Sequence, residues 1–192
     1  MTLFEEANPF AGKNRIENFT PEFRVFIDDK YGHHYSPEEI LGYIYAVLYS
    51  PTYRKKYAEF LKTDFPRIPF VDDLKEFEAL SKLGSQLMQA HPLKDIPAKI
   101  KVDVSKNDDP VEKPVYDHEN QRLYANKNLF FSPVPEAVWN FHIGGYRVLE
   151  NYLKSRKDRK LTLDEKENII DAIKALVFTI DQTIKIDETY KS

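Results

Sequence analysis

Apolar side chains recur at helical spacing through most of the first half of the chain, and residues 18–92 read as a helical lobe. Ser36-Pro37-Glu38-Glu39 combines a hydroxyl N-cap, a proline at the first helical position and a glutamate at the third, and Ile40, Leu41, Ile44 and Leu48 follow on one stripe. The pattern predicts a helix over residues 37–49. Ser50-Pro51 repeats the signal and starts a second helix carrying Tyr53, Tyr57, Phe60 and Leu61 to about residue 62. Pro66 and Pro69 force residues 64–70 to be extended, after which Leu74, Phe77, Leu80, Leu87 and Met88 trace a third helix ending near His91-Pro92.

The periodicity then changes. Ile100, Val102 and Val104 alternate with Lys101 and Asp103, which is the period of a half-buried strand over residues 99–104. Further short strands are expected at 114–117, 122–125, 129–132 and 137–143, with His118-Glu119-Asn120 as a hairpin turn, giving a small antiparallel sheet. Gly144-Gly145 breaks the strand pattern, and Tyr146, Leu149, Tyr152 and Leu153 resume helical spacing. Residues 162–165 form another capping box, opening a helix with Ile169, Ile170, Ile173, Leu176, Val177, Ile180 and Ile184 on one face. The expected class is α+β: an N-terminal helical lobe, a small central antiparallel sheet and two C-terminal helices.

The net charge of −3 argues against a binder held by bulk positive charge, so the distribution matters more. Arg147, Lys154, Arg156, Lys157, Arg159 and Lys160 crowd residues 146–161 against Glu150 and Asp158, about +4. A second window, residues 50–70, is about +3 through Arg54, Lys55, Lys56, Lys62 and Arg67 against Glu59 and Asp64. Lysines and arginines near a helix C-terminus also suit the helix dipole, so the first window reads equally as a solvated helix end or as a phosphate-contacting surface. Tyr43, Tyr45, Tyr49, Tyr53 and Tyr57 stand beside leucines and isoleucines at helical spacing, which favours core and rim over base stacking.

No catalytic set emerges. The absence of cysteine removes disulfides, thiolate metal sites and a cysteine nucleophile, and fits a reducing cytoplasm. No glycine-rich phosphate loop and no glycine-flanked serine elbow occurs, and Gly144-Gly145 is better read as a tight turn. His33 and His34 are adjacent, so their side chains diverge, and His91, His118 and His142 lack a carboxylate at metalloprotease spacing. No metal is expected. No apolar run approaches the length of a membrane span, and residues 1–10 lack the basic and apolar regions of a signal peptide, so neither membrane insertion nor secretion by that route is expected. Asn8-Pro9-Phe10 is similar to the Asn-Pro-Pro-aromatic motif of adenine methyltransferases but lacks the second proline and a cofactor-binding half.

Two stretches carry a family resemblance across nearly the whole chain. IENFTPEFRVFIDDKYGHHYSPEEILGYIYAVLYSPTYRKKYAEFLKTDFPRIPF, followed by FEALSKLGSQLMQAH, resembles the start of the C-terminal specificity domain of type ISP restriction-modification enzymes and related adenine-specific DNA methyltransferases. VWNFHIGGYRVLENYLKSRKDRKLTLDE resembles that family's strand, Gly-Gly turn, helix and Arg-Lys-x-Arg element, and FTIDQTIKID resembles its closing helix. The resemblance implies one target-recognition domain over residues 1–192, with a helical lobe at about 16–92 and the sheet and C-terminal helices at about 97–188. It implies double-stranded DNA as a partner, and a methyltransferase domain or subunit of the parent enzyme as another. Methyl transfer with S-adenosylmethionine is then expected in that partner, with no cofactor and no catalytic residue in this chain. Arg54, Lys55, Lys56, Arg147, Lys154, Arg156, Lys157, Arg159 and Lys160 are the expected phosphate contacts, and side chains from loops near His33, His34 and the sheet the expected readers of base edges in the major groove. The rival expectation is a module that docks the methyltransferase through exposed aromatics without reading DNA.

Overall fold

The computed structural model describes residues 17–93 and 96–190, so Asn8-Pro9-Phe10 lies outside the described residues. Among the described residues the fold is α+β and divides into two compact units. One holds the residues up to Met88 together with those from Lys185 on, and the other holds residues 89–184.

The first unit is built from α1 (Pro21–Tyr31), α2 (Pro37–Tyr49), α3 (Pro51–Lys56), α4 (Phe60–Thr63) and α5 (Leu74–Ala90, to its Met88), with the end of α8 (Leu163–Thr189) from Lys185 on. Start signals written in the sequence are used directly. Thr20 caps α1 by accepting from the Phe23 N–H, and Ser36 and Glu39 satisfy each other's backbone donors at the head of α2. The expected single helix over 51–62 is two pieces. Tyr57 leaves helical geometry at φ −109° and ψ 19°, with its ring 4.9 Å from that of Tyr53, and the chain re-enters a helix only at Phe60. The core is aromatic: Tyr43 stacks on Phe70 and on Phe77, and Tyr31 stacks on Phe77 at 4.2 Å. Three of its tyrosine hydroxyls donate to backbone carbonyls: Tyr31 to Val71, Tyr43 to Pro69 and Tyr53 to Arg67. Ile186 and Tyr190 complete this core.

Helices α2 and α5 meet at small residues. A Cβ on Gly84 would run into the Gly42 carbonyl and lie 2.8 Å from the Ala46 nitrogen, so both backbones must be bare there. A glycine inside a helix costs about 1 kcal/mol relative to alanine, and the close approach, with the Ser81 hydroxyl donating to the Glu39 carbonyl across it, is what the loss purchases.

The second unit carries a four-stranded antiparallel sheet in the order β1 (Asp103–Val104), β4 (Phe130–Ser132), β3 (Arg122–Tyr124), β2 (Val115–Asp117). Strand β1 is shorter than the 99–104 expected, because only Asp103 and Val104 find a ladder partner, on β4. The β2–β3 turn falls at residues 118–121, where Asp117 accepts from the Glu119 and Asn120 N–H groups. The strand expected over 137–143 is mostly absent. Residues 136–139 instead form α6 (Glu136–Trp139), a single turn whose Val138 and Trp139 N–H groups return to the Pro135 carbonyl. Only β5 (His142–Ile143) remains, paired with β6 (Tyr146–Arg147), so Tyr146 belongs to a ribbon and not to the following helix.

Helix α7 (Val148–Lys154) buries Leu149 and Leu153, and α8 buries Ile169, Ile173 and Leu176 in the same core as Leu123, Phe131 and Trp139. Ile184 is 53% exposed, contrary to the expected face, since this core's hydrophobic side chains on α8 stop at Ile180 and the next buried apolar positions, Ile186 and Tyr190, belong to the other core. No helix among the described residues is long and apolar enough to cross a membrane.

Candidate nucleic-acid interface

In the first unit, α3 presents Arg54, Lys55 and Lys56 as exposed side chains from a helix that contains no acid. Its position is fixed from below. Tyr53 is 1% exposed, Ser50 caps the helix by accepting from the Tyr53 N–H, and the Ser50 hydroxyl donates to Asp187 at 2.7 Å. Asp187 also accepts from the N–H and hydroxyl of Thr52. Burial would push its carboxyl up, but these hydrogen bonds outweigh that and hold it below its ordinary value. Arg54 turns back to donate to the Leu48 carbonyl and lies over the Tyr49 ring, while Lys56 lies 5.6 Å from the centre of the Tyr57 ring. Farther along, Lys62 pairs with Glu59, and Arg67 is 94% exposed near Asp64.

His33 and His34 lie exposed in the loop between α1 and α2, after Gly32, whose φ of +63° ends α1 in the left-handed conformation. The His34 ring nitrogen sits 2.7 Å from Asp28, and His33 stands edge-on to Tyr35. The other histidines are dispersed: His118 faces Glu136, His142 is 2.6 Å from the Asn140 carbonyl, and His91 approaches the Thr179 hydroxyl. Burial pulls the His91 imidazole below its ordinary value. Among the described residues no group of three or more histidine, aspartate or glutamate side chains could hold a metal ion.

In the second unit, residues 155–160 are folded onto neighbours as a turn. Asp158 adopts φ +63°, its N–H donates to the Val111 carbonyl, and the Val111 N–H donates to the Arg159 carbonyl. The centre is Glu165. It accepts from Arg156 at 2.9 Å, from both terminal nitrogens of Arg159 and from the Thr162 N–H, while its own N–H reaches the Thr162 hydroxyl. The Arg159 fork, then the Thr162 N–H and then Arg156 push its carboxyl down to about 2 against the opposing cost of burial. The Arg156 guanidinium is 3.5 Å from the centre of the Tyr152 ring and donates to the Tyr152 carbonyl. Lys154 is paired with Glu150 at 2.6 Å, whereas Lys157 and Lys160 are exposed, the former 3.9 Å from Asp158. Lys166, nearly buried, donates to the Asn107 carbonyl and to Asp108 and ties α8 to the loop before Val111.

A feature absent from the sequence expectation is the ribbon of residues 142–147. Ile143 and Tyr146 are directly paired and 65% and 69% exposed. Arg147 lies over the Trp139 ring at 5.1 Å, and a recess beside it is lined by His142, Gly145, Tyr146, Arg147, Glu150, Asn151 and Lys154. The signal that would have found it is the Gly-Gly pair between His142-Ile143 and Tyr146-Arg147, a two-residue hairpin signature. In the first unit, Phe60 and Phe65 are 70% and 89% exposed around a groove shared with Tyr57, Leu61 and Pro66.

The family described as Type ISP C-terminal specificity domain matches residues 2–189. Among solved structures, the chain is similar to one in a cryo-electron microscopy structure of a DrdV–DNA complex, with TM-score 0.70, 24% identity, and coverage of 93% of this chain and 20% of that one. It is similar to the ATP-dependent Type ISP restriction-modification enzyme LlaBIII bound to DNA, with TM-score 0.60, 18% identity, and coverage of 88% and 12%. A nuclease-deletion mutant of the Type ISP restriction-modification enzyme LlaGI, in complex with a DNA substrate mimic, gives TM-score 0.57, 20% identity, and coverage of 83% and 14%. These likenesses are of fold, and this chain spans a fifth or less of each of those chains. No curated protein matches it.

Proposed function

Because the chain belongs to the Type ISP C-terminal specificity domain family, we propose that it recognises a target sequence in double-stranded DNA for a larger restriction-modification enzyme and carries no catalytic step itself. The family match over residues 2–189 carries this reading, and the DNA-bound state of the three similar structures supports it. Methyl transfer, with S-adenosylmethionine, is assigned to a partner methyltransferase domain or subunit, and the setting is the cytoplasm. We read residues 1–192 as one recognition domain in that enzyme.

Phosphate contacts orient such a module and base contacts give it sequence preference. Of the nine expected phosphate ligands, Lys55, Lys56, Lys157 and Lys160 are exposed and suited to direct contact, while Arg54 lies over the Tyr49 ring and Arg147 over that of Trp139. Lys154 reaches a phosphate by leaving Glu150, and Arg159, half exposed, by leaving Glu165. Arg156, 22% exposed and tied at three points, acts mainly by holding the segment in place. His33 and His34, exposed on the α1–α2 loop, are assigned to base edges.

The test is duplex binding by the 192-residue chain across a salt series. Affinity should fall log-linearly with salt, by about 0.9 log units per log unit of salt for each phosphate neutralised. No measurable binding to any duplex at low salt would reject the reading. The exposed Phe60 and Phe65 favour a second reading, a module that docks the methyltransferase domain without reading DNA. That reading predicts a salt-resistant protein complex and no DNA shift.

A further inference from the structure

The ribbon formed by β5 and β6 has a fixed base and a bare tip. At the base, the Val148 N–H donates to the Phe141 carbonyl, Arg147 lies over Trp139, and β6 runs without a break into α7, whose Leu149 and Leu153 are buried. At the tip, Ile143 and Tyr146 face each other across the ribbon and therefore project from the same side. Both are mostly exposed. An aromatic and a branched aliphatic side chain held in solvent on this hairpin are no part of the unit's own core.

The two tip glycines differ in what explains them. Gly144 has φ +60°, a left-handed conformation that glycine adopts at least cost. Gly145 lies outside that left-handed region, and a Cβ on it would meet nothing within 4 Å. Neither backbone conformation nor internal crowding demands a glycine at 145. A bare backbone at such a position fits close approach by something outside the chain. The surroundings indicate its charge: Arg147 and Lys154 line the recess beside the tip and share its single acid, Glu150, at 3.9 and 2.6 Å, so one positive charge is left uncompensated there. A two-stranded ribbon also has the width that the major groove of B-DNA, about 12 Å, admits.

We propose that residues 142–147 form a base-reading element that enters the major groove, with Tyr146 and Ile143 against base edges and Arg147 and Lys154 toward the flanking phosphates. The tyrosine hydroxyl can donate to or accept from a base edge, and the isoleucine suits a thymine methyl group. This rests on the DNA-recognition reading above and adds to its base readers, His33 and His34, a further discriminating element in the second unit.

The experiment selects a preferred duplex from a random pool with the 192-residue chain, then measures Kd for that duplex and for a scrambled one at fixed salt. Two variants are compared with wild type: Ile143→Ala combined with Tyr146→Ala, and Gly145→Leu, which adds bulk where the structure has open space. Thermal unfolding followed by circular dichroism checks that both remain folded. In each, the preference for the selected duplex should drop about tenfold or more while Kd for the scrambled duplex stays within about twofold. Retention of the full preference by both variants would overturn the ribbon assignment and leave the DNA reading standing. Equal binding of both duplexes by wild type, or failure of wild type to bind any duplex, would overturn the ribbon assignment and the target-recognition reading together.

Discussion

The cations of α3 and those of residues 154–160 rest on different physical supports. Helix α3 is held by apolar burial of Tyr53 and by a cap at one end, where Ser50 and Thr52 meet Asp187, so its lysines stand clear of any acid within the helix. The later segment is held by its own charges, with Glu165 gripping Arg156 and Arg159 and with Glu150 taking Lys154. The window of larger formal charge is therefore the one that has already spent more of it. Counting lysines and arginines measures what a surface could offer, and the carboxylates that the fold brings to them decide what it does offer.

The sharpest way to break this comparison is to attack the apolar support. Gly84→Val places a side chain against the Gly42 carbonyl, and urea unfolding should show a loss of about 3 kcal/mol or more. Undiminished stability would mean that α2 and α5 can separate at no cost, and the contrast with the ionic segment would dissolve. Next in size is Glu165→Ala, which removes the acceptor of both arginines and of the Thr162 N–H. A loss of about 2 kcal/mol is expected, shrinking in 1 M salt. A salt-independent loss would show that packing, and not charge, holds the turn.

Acid should reveal the same support. The folded Glu165 carboxyl, pushed down from 4.5 to about 2, contributes stability that is complete above the unfolded value and disappears as pH falls from about 4.5 toward 2. The stability difference between wild type and Glu165→Gln should accordingly narrow across that interval, as measured by urea midpoints at each pH. Asp187→Ala, which deprives α3 of its clamp, should cost about 1 kcal/mol. Lys55→Ala with Lys56→Ala should have the smallest effect on stability, within about 0.5 kcal/mol. The same pair should reduce the slope of log affinity against log salt by roughly one unit per lost phosphate contact, and an unchanged slope would remove α3 from the interface.

Local signals were legible in the sequence, and convergent ones were not. The Ser36 capping box and the stripe after it predict α2 with the bounds observed, and Thr162 with Glu165 marks the start of α8. That the same Glu165 also receives Arg156 and Arg159 depends on the left-handed Asp158 and on two backbone hydrogen bonds to Val111, more than forty residues earlier. Nothing local to Gly42 or Gly84 explains either glycine; the reason is the close approach of the two helices. Residues 137–143 alternate acceptably for a strand, but Pro135 offers its carbonyl to Val138 and Trp139, and one helical turn wins. The ribbon of residues 142–147 was hidden for a related reason: Tyr146 also continues the spacing of Leu149 and Leu153, and only the pairing of Ile143 with Tyr146 decides between the two.

The bond from Ser50 to Asp187 spans 137 positions, and Ile186 and Tyr190 belong to the same helical core. As a ribosome delivers the chain, α1 to α5 emerge long before the last turn of α8, and the whole of the second unit is made in between. The first unit must therefore wait, its α3 unclamped and part of its aromatic core open, until the final residues of α8 arrive. A chain that ended before that turn would lack Ile186 and Tyr190 in this core and Asp187 beneath α3.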